Sequence, residues 1–208
     1  MLKNQFHLLR LKGYLTQVFV YREIDEAYPE SLLLGEEIDK DKYPIIFMQY
    51  NDSCFGNYKW EDFLNADVFM PYVVSDKMIN LLCDNNITGW KTFPIEVYDM
   101  KENYIGGYNG LSIIGRCNCL DLRQLIKTGR ESISFGPEYK GYPLDIETWD
   151  GNDIFALKNS LDIFVTQRLK KCMQKAKISN VLFTDISEYT TQEYFMKSWL
   201  DPKYKKYD

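Results

Sequence analysis

The sequence predicts an α+β fold in a single domain, with a mostly antiparallel sheet and one strand–helix–turn–strand unit that is used twice. Two short segments have apolar residues at helical spacing, whereas most other apolar residues form short runs bounded by turn-forming residues, which is typical of strands. The two helical segments also match each other at a constant offset of 91 positions. With 208 residues, the chain is long enough to bury its own core.

The repeated unit covers residues 72–97 and, in its second copy, residues 163–186. Several positions of the first copy keep their physical type in the second copy. They are Val74, Ser75, Lys77, Met78, Leu81, Leu82, Ile87, Thr88 and Gly89, which match Val165, Thr166, Arg168, Leu169, Cys172, Met173, Ile178, Ser179 and Asn180. Each copy therefore predicts a strand, a short helix, a turn and a second strand.

The ends of both predicted helices carry residues suited to those positions. Ser75 and Thr166 stand at the helix starts, where a side-chain oxygen accepts hydrogen bonds from backbone N–H groups that lack a helical partner. Gly89 and Asn180 follow the helices, and both residue types adopt positive φ at low cost. We therefore expect the chain to turn there. None of these residues does chemistry, so the unit predicts architecture only.

The chain before the first copy is mainly of strand type. Residues 1–21 predict two strands around a central turn, which together would make an N-terminal hairpin. An acidic surface loop follows, with one short element at Ser31–Leu34. Pro44–Tyr50 predicts another strand, and apolar residues at helical spacing predict a helix or helical turns over Trp60–Asp67.

The rest of the chain continues the same mixture. Ile95–Cys119 predicts long hairpins or a meander, and Asp121–Lys127 predicts the beginning of a short helix. Gly129–Asp153 is a long connection with one short strand around Ile133–Phe135. Thr190–Trp199 predicts a C-terminal helix, followed by a polar tail.

The domain organisation follows from these elements. One domain spans residues 1–208, and it could contain pseudo-repeated halves at 44–128 and 129–188. The C-terminal helix and tail would occupy residues 189–208.

Cysteine usage and hydropathy predict a cytoplasmic protein. The five cysteines are odd in number and irregularly spaced, which argues against a disulfide framework and for a reducing compartment. Arg10 and Lys12 interrupt the first apolar residues, so we expect no secretory signal. No apolar run approaches the ~20 residues of a membrane helix, so we expect no membrane partner.

The charge distribution is uneven. Residues 22–42 hold eight acids against three bases, and residues 130–153 hold six against two, in a chain whose net charge is −5. Such acidic surfaces disfavour nucleic acid as a ligand, because binding its phosphates requires cations. They suit a basic protein partner, although solvated loops that carry charge for solubility are the simpler explanation.

The sequence offers no candidate residue for catalysis, for a cofactor or for a metal. His7, the single histidine, lies between apolar neighbours and is interpreted as a core or edge residue. Cys117 and Cys119 would share one face of a strand, but no two further zinc ligands stand at matching spacing. Gly106 and Gly107 are followed by no phosphate-loop Lys, so we interpret them as a hairpin turn.

The residues most suited to a partner lie in the second acidic stretch. Interface energy concentrates in a few aromatic anchors ringed by polar contacts, and Trp149 stands among acids there. With Glu23–Asp41 as a second acidic segment, we therefore predict a partner-binding surface. Its residues are Asp145, Glu147, Trp149, Asp150 and Asp153.

The stretch Asp153–Phe183 resembles the C-terminal signature of a family of bacterial immunity proteins found beside polymorphic toxins. The shared features are Asp-Ile-Phe, a Val-Thr helix start, a Leu-Lys-rich helix and a small-residue turn before an aromatic strand. The earlier string VVSDKMINLL and the segment Cys119–Leu122 fit the family's order of motifs, and the match covers about Pro44 to Ile186. The resemblance implies a non-enzymatic cytoplasmic protein that neutralises a cognate toxin by binding it. It supplies no catalytic residue and no cofactor.

Two other function classes stay open on the residues alone. A small hydrolase using carboxylates would have a deep pocket lined by acids whose pKa values are raised. A structural protein that self-associates through its 16 tyrosines would change its mass with concentration.

Overall fold

A computed structural model describes residues 5–12, 19–22, 44–49, 59–66, 72–118, 125–142, 144–157 and 162–192. The fold is α+β, and strands predominate over the two described helices. The first strands are Phe6–Leu11 (β1), Phe19–Arg22 (β2), Ile45–Gln49 (β3), Phe63–Ala66 (β4) and Tyr72–Ser75 (β5), and Asp76–Asp84 is helix α1. Then come Trp90–Phe93 (β6), Ile95–Tyr98 (β7), Tyr108–Ile113 (β8), Gly115–Cys117 (β9), Ile126–Ser132 (β10) and Gly136–Lys140 (β11). The last elements are Ile154–Leu157 (β12), Ile163–Thr166 (β13), helix α2 at Gln167–Lys175, Val181–Asp185 (β14) and Thr190–Gln192 (β15).

Both helices begin at the predicted capping residues. The hydroxyl of Ser75 accepts the backbone N–H of Met78 at 3.2 Å. At α2, the hydroxyl of Thr166 accepts the backbone N–H of Leu169 at 3.3 Å. Each bond satisfies an N–H group in the first turn that has no carbonyl partner within the helix. The two cap predictions are confirmed.

The chain leaves each helix through two residues in the left-handed region. Asn86 (φ 48°) and Gly89 (φ 96°) follow α1, whereas Lys177 (φ 52°) and Asn180 (φ 61°) follow α2. Gly and Asn adopt this conformation more readily than other residues, which explains the choice at Gly89 and Asn180. The predicted turns are present.

Backbone pairing arranges the described strands in three sheets. A five-stranded sheet has the order β14-β1-β13-β12-β9, and a seven-stranded sheet has the order β6-β8-β5-β4-β2-β3-β7. A smaller sheet has the order β10-β11-β15. Most pairs are antiparallel, and the parallel pairs are β12 with β9, β2 with β4, and β3 with β7.

The backbone divides into two compact units, each with its own apolar core. The first unit comprises residues 1–9, 115–170 and 183–208, and the second comprises residues 10–114 and 171–182. The core of the first unit contains Phe6, Leu8, Cys117, Tyr142, Leu144, Phe155, Leu157, Phe164 and Ile186. The core of the second contains Ile45, Phe47, Leu64, Val73, Phe93, Ile95 and Val97. Burial of each such Leu or Phe contributes roughly 1.5–3 kcal/mol to folding.

Two segments adopt a structure that differs from the prediction. The expected helix over Trp60–Asp67 is wrong for its described part, because Phe63–Ala66 is strand β4. Phe63 and Leu64 are adjacent, and both are fully buried, as in a strand covered on its two faces. The expected strand at Ile133–Phe135 is wrong as well, because these residues form the turn between β10 and β11.

The two chain ends also differ from the prediction. The strands β1 and β2 form, but they do not make a hairpin, because β1 pairs with β13 whereas β2 pairs with β3 and β4. Thr190–Gln192 is a strand and not the start of a helix. The helix start expected over Asp121–Lys127 is wrong for its described end, because Ile126 and Lys127 belong to strand β10. The expected element at Ser31–Leu34, the acidic segment Glu23–Asp41 and the C-terminal residues after 192 lie outside the described residues.

Candidate functional site

The predicted partner-binding residues lie in one short segment, residues 145–153, which we call the acidic turn. Its centre is a single 3-10 turn at Ile146–Thr148. The hydroxyl of Thr148 donates to the carbonyl of Asp145 at 2.7 Å and accepts the backbone N–H of Asn118 at 2.8 Å. The thiol of Cys117 donates to the same Asp145 carbonyl at 3.2 Å. The turn is therefore tied to the end of strand β9.

Trp149 attaches the acidic turn to the core of the first unit. Its ring meets Phe6 edge-on at 5.0 Å between centroids, and it lies 5.9 Å from Phe155. Its indole N–H donates to the carbonyl of Asn152 at 3.0 Å. Aromatic pairs of this geometry add about 0.5–1.5 kcal/mol beyond the area that they bury. Trp149 is half-buried, and these contacts hold the turn in place.

Asp150 continues the edge of β9. Its carboxylate accepts the backbone N–H of Arg116 at 2.6 Å, and its own N–H donates to the carbonyl of Arg116 at 3.1 Å. The other carboxylate oxygen accepts the N–H of Asn152 at 3.0 Å. Burial lowers the pKa of the Arg116 guanidinium, and the nearby charge of Asp150 opposes that shift. The carboxylate is thus fixed in orientation while the residue stays exposed.

Asp153 lies inside the first unit, at 8% exposure. Its carboxylate accepts the hydroxyl of Thr166 at 2.9 Å, and Nε and Nη2 of Arg168 at 3.1 and 2.6 Å. Its carbonyl accepts the backbone N–H of Thr166 at 2.9 Å. These bonds join the entry of β12 to the cap of helix α2. Burial and pairing give Asp153 a structural role.

The acidic turn therefore contains residues of two kinds. Trp149 and Asp153 face the core, whereas Glu147 and Asp150 are exposed and Asp145 is half-buried. Residues 145–150 therefore carry three carboxylates on a backbone that bonds to strand β9 and packs on the core. Such a concentration of negative charge suits a cationic protein surface, because charge complementarity steers association and fixes register.

Asp62 is a second carboxylate with a comparable environment, and the search of the sequence missed it. It accepts the hydroxyl of Ser75 at 2.8 Å, Nζ of Lys77 at 2.9 Å, and the backbone N–H of Ser179 at 2.8 Å. Burial would raise the pKa of Asp62, but the hydrogen bonds from Ser179, Lys77 and Ser75 outweigh it and lower the pKa. The offset of the repeated unit could have identified Asp62, because Asp62 and Asp153 are themselves 91 positions apart.

His7 is a buried residue of strand β1, as the sequence predicts. Its Nε2 pairs with the side-chain oxygen of Gln167, and its Nδ1 lies 3.3 Å from Nζ of Lys170. Burial is the main cause that lowers the pKa of His7, and Lys170 adds to it, whereas Gln167 and Asp185 oppose it. The neutral imidazole is therefore the form that the fold favours.

Cys117 is likewise a buried residue with a structural role. Burial raises the pKa of the Cys117 thiol, against the hydrogen bond with Thr148. Among the residues that the structure describes, no three His, Cys, Asp or Glu side chains cluster as a metal site would require. Within the same residues, no helix combines the length and the apolar character that a membrane crossing needs.

No protein-family model matches the chain, and no curated protein sequence matches it.

Proposed function

We propose that this chain is a cytoplasmic immunity-type protein that binds a cognate toxin and neutralises it by protein–protein contact. The observation that carries the proposal is the acidic turn, in which exposed carboxylates stand on a backbone fixed by the core. Preorganised polar groups lose little conformational freedom on binding, so more of their interaction energy appears as affinity. The resemblance of Asp153–Phe183 to immunity proteins points to the same class.

The residues of the acidic turn have separate roles in this proposal. Glu147, Asp150 and Asp145 meet a basic patch on the toxin. Trp149 and Asp153 hold the turn in the shape that presents these carboxylates. A basic partner is favoured because opposite charge accelerates the encounter, and this acceleration weakens as salt is added.

The proposal includes a scaffold in which one strand–helix–turn–strand unit occurs twice, at 72–97 and 163–186. Matching hydrogen bonds at the offset of 91 positions support it. They are the bonds of Ser75 and Lys77 to Asp62, and those of Thr166 and Arg168 to Asp153. The paired strands β4 and β5 also share their register with β12 and β13, since Phe63 faces Val74 and Ile154 faces Val165.

The test is binding to the product of the gene adjacent to the one that encodes this chain. The full-length protein is mixed with that product, the dissociation constant is measured, and protection of cells that express the product is scored. We expect a stable complex and restored growth. Glu147→Lys should raise Kd by about 10-fold, because it sets a like charge against the basic patch.

The matched control is Asp84→Lys, which makes the same charge change at the exposed end of α1. This control should bind as tightly as the wild type. If the wild-type chain neither binds nor protects, the proposed function is wrong. If Glu147→Lys and Asp84→Lys behave alike, the acidic turn is not the surface that meets the toxin.

A further inference from the structure

His7 is the residue through which strand β1 contacts the first turn of helix α2. Its neighbours Phe6 and Leu8 belong to the core of the first unit, so alternation along β1 directs His7 to the opposite face of the strand. There its Nε2 pairs with the side-chain oxygen of Gln167, and its Nδ1 lies 3.3 Å from Nζ of Lys170. His7 is 1% exposed, so these two partners take the place of water around its ring.

The two partners require the same form of the imidazole ring. The amide oxygen of Gln167 accepts hydrogen bonds and donates none, so Nε2 of His7 carries the hydrogen. The ammonium of Lys170 donates and accepts none, so Nδ1 is the nitrogen with a free electron pair. A further proton therefore binds at Nδ1. It sets a new N–H group against an ammonium, which cannot accept it, and the contact with Lys170 ends.

The charged groups that act on His7 come from two elements. Lys170 on α2 disfavours the protonated ring, and Asp185 at the end of β14 favours it. Strand β13, which pairs with β1 and places Val165 opposite His7, has no titratable residue. Asp185 is also engaged with Ser187, whose backbone N–H and hydroxyl donate to one oxygen of the carboxylate at 2.9 and 2.7 Å.

Proton uptake by His7 weakens the attachment of α2 to β1. A buried N–H group without an acceptor is costly, and a buried charge costs more. Lys170 is half-exposed, so its ammonium can move into water and leave space for water beside Nδ1. The attachment then depends on Gln167, whose backbone N–H donates to the carbonyl of Gln5 at 2.9 Å.

We propose that His7 and Lys170 form a proton-sensitive contact, closed at neutral pH, whose opening in acid loosens the first turn of α2. Burial lowers the pKa of His7, so the contact opens below the pH at which an exposed histidine takes up its proton. The loosened turn contains Arg168, which bonds to Asp153, so the change extends to the end of the acidic turn. This contact is a property of the chain itself and does not depend on the proposed function.

The experiment follows His7 and the backbone amides of α2 by NMR in the full-length chain, from about pH 7.5 to pH 5. His7 is the single histidine of the sequence, so its ring signals are unambiguous. At neutral pH the ring should carry its hydrogen on Nε2. In acid, the protection of the Gln167 and Leu169 amides against hydrogen exchange should fall by about 10-fold. The amide of Met78, which donates to the cap of α1 as Leu169 does to that of α2, should keep its protection.

Lys170→Met and Lys171→Met are matched variants, because they remove the same charge from adjacent positions of α2. Lys170→Met removes the cation beside Nδ1, so His7 should take up its proton at a higher pH. Lys171→Met, at an exposed position, should leave the titration of His7 close to that of the wild type. His7→Gln keeps a donor for Gln167 and an acceptor for Lys170, so it should remove the acid-induced loss of protection.

Three results would overturn the inference. In the first, His7 titrates alike in Lys170→Met and Lys171→Met, or its neutral ring carries the hydrogen on Nδ1. In the second, His7 takes up its proton while Gln167 and Leu169 stay protected, which would mean that Asp185 accepts the new N–H. In the third, Met78 loses protection equally, which would indicate acid unfolding of the whole chain. None of these measurements involves a toxin, so the proposed function stands or fails separately.

Discussion

Replacing Asp153 with Ala tests whether this buried carboxylate holds the acidic turn and helix α2 together. The substitution removes side-chain hydrogen bonds from Thr166 and from Nε and Nη2 of Arg168, and keeps the backbone bond between Asp153 and Thr166. A hydrogen bond to a charged group contributes about 1.5–3 kcal/mol. The side chain of Arg168 is 53% exposed, however, so water replaces part of what it loses, and the pair itself contributes about 0.5–1 kcal/mol.

We therefore expect Asp153→Ala to lower the free energy of unfolding by about 2 kcal/mol. For a chain of this size, that loss corresponds to a fall in melting temperature of about 4–8 °C. Asp153→Asn keeps an oxygen that accepts the Thr166 hydroxyl but loses the charge, so it should cost about half as much.

The assay is thermal and urea unfolding followed by circular dichroism, with Glu147→Ala as the control. Glu147 is exposed in the same turn, so its removal should change the free energy of unfolding by less than about 0.5 kcal/mol. The reasoning is refuted if Asp153→Ala melts within about 1 °C of the wild type. An equal loss for Asp153→Asn and Asp153→Ala would refute the assigned role of the charge.

Three further outcomes follow from the described residues. Burial lowers the pKa of His7, so the unfolded chain takes up this proton at a higher pH than the folded chain does. The free energy of unfolding should therefore decrease as the pH falls below about 6.5. His7→Gln should reduce that decrease in a pH series. A Cβ at Gly115 would collide with a backbone carbonyl of β12, so Gly115→Ala should cost about 2–3 kcal/mol in urea unfolding, whereas Gly106→Ala, which has room, should be nearly neutral. In the native protein, a thiol reagent should label exposed Cys83 and leave buried Cys117 unlabelled until urea is added. Peptide mapping reads out which cysteine is labelled. Labelling of Cys117 at the native rate of Cys83 would contradict its burial.

Two elements were predicted wrongly because the prediction rested on a short local pattern of residues. Phe63 and Leu64 have neighbours at helical spacing, yet they form strand β4 because β5 pairs with them on one side and β2 pairs with the strand on the other. Ile133 and Phe135 alternate as a strand would, yet Gly136 turns the chain there because it adopts positive φ. The first pattern was outweighed by pairing with strands that are distant in sequence, and the second by the backbone conformation of a single glycine.

The acidic turn was predictable as a segment and not in its detail. A local excess of acids around Trp149 is visible in the sequence, so the segment could be found. The exposure of each residue in the turn depends on contacts with other parts of the chain. Phe6 packs against Trp149, and Thr166 bonds to Asp153. The burial of Asp153 could therefore not be predicted from its neighbours in sequence.

The sequence by itself determined the α+β class, the caps at Ser75 and Thr166, and the turns at Gly89 and Asn180. These features depend on a side chain and the backbone within a few positions of it, so residue type and spacing contain the necessary information. Only the tertiary structure decided that β1 pairs with β13, and that Asp153 is paired internally while Glu147 and Asp150 stay exposed. Those outcomes depend on which distant segments exclude water together, and no local pattern of residues specifies that.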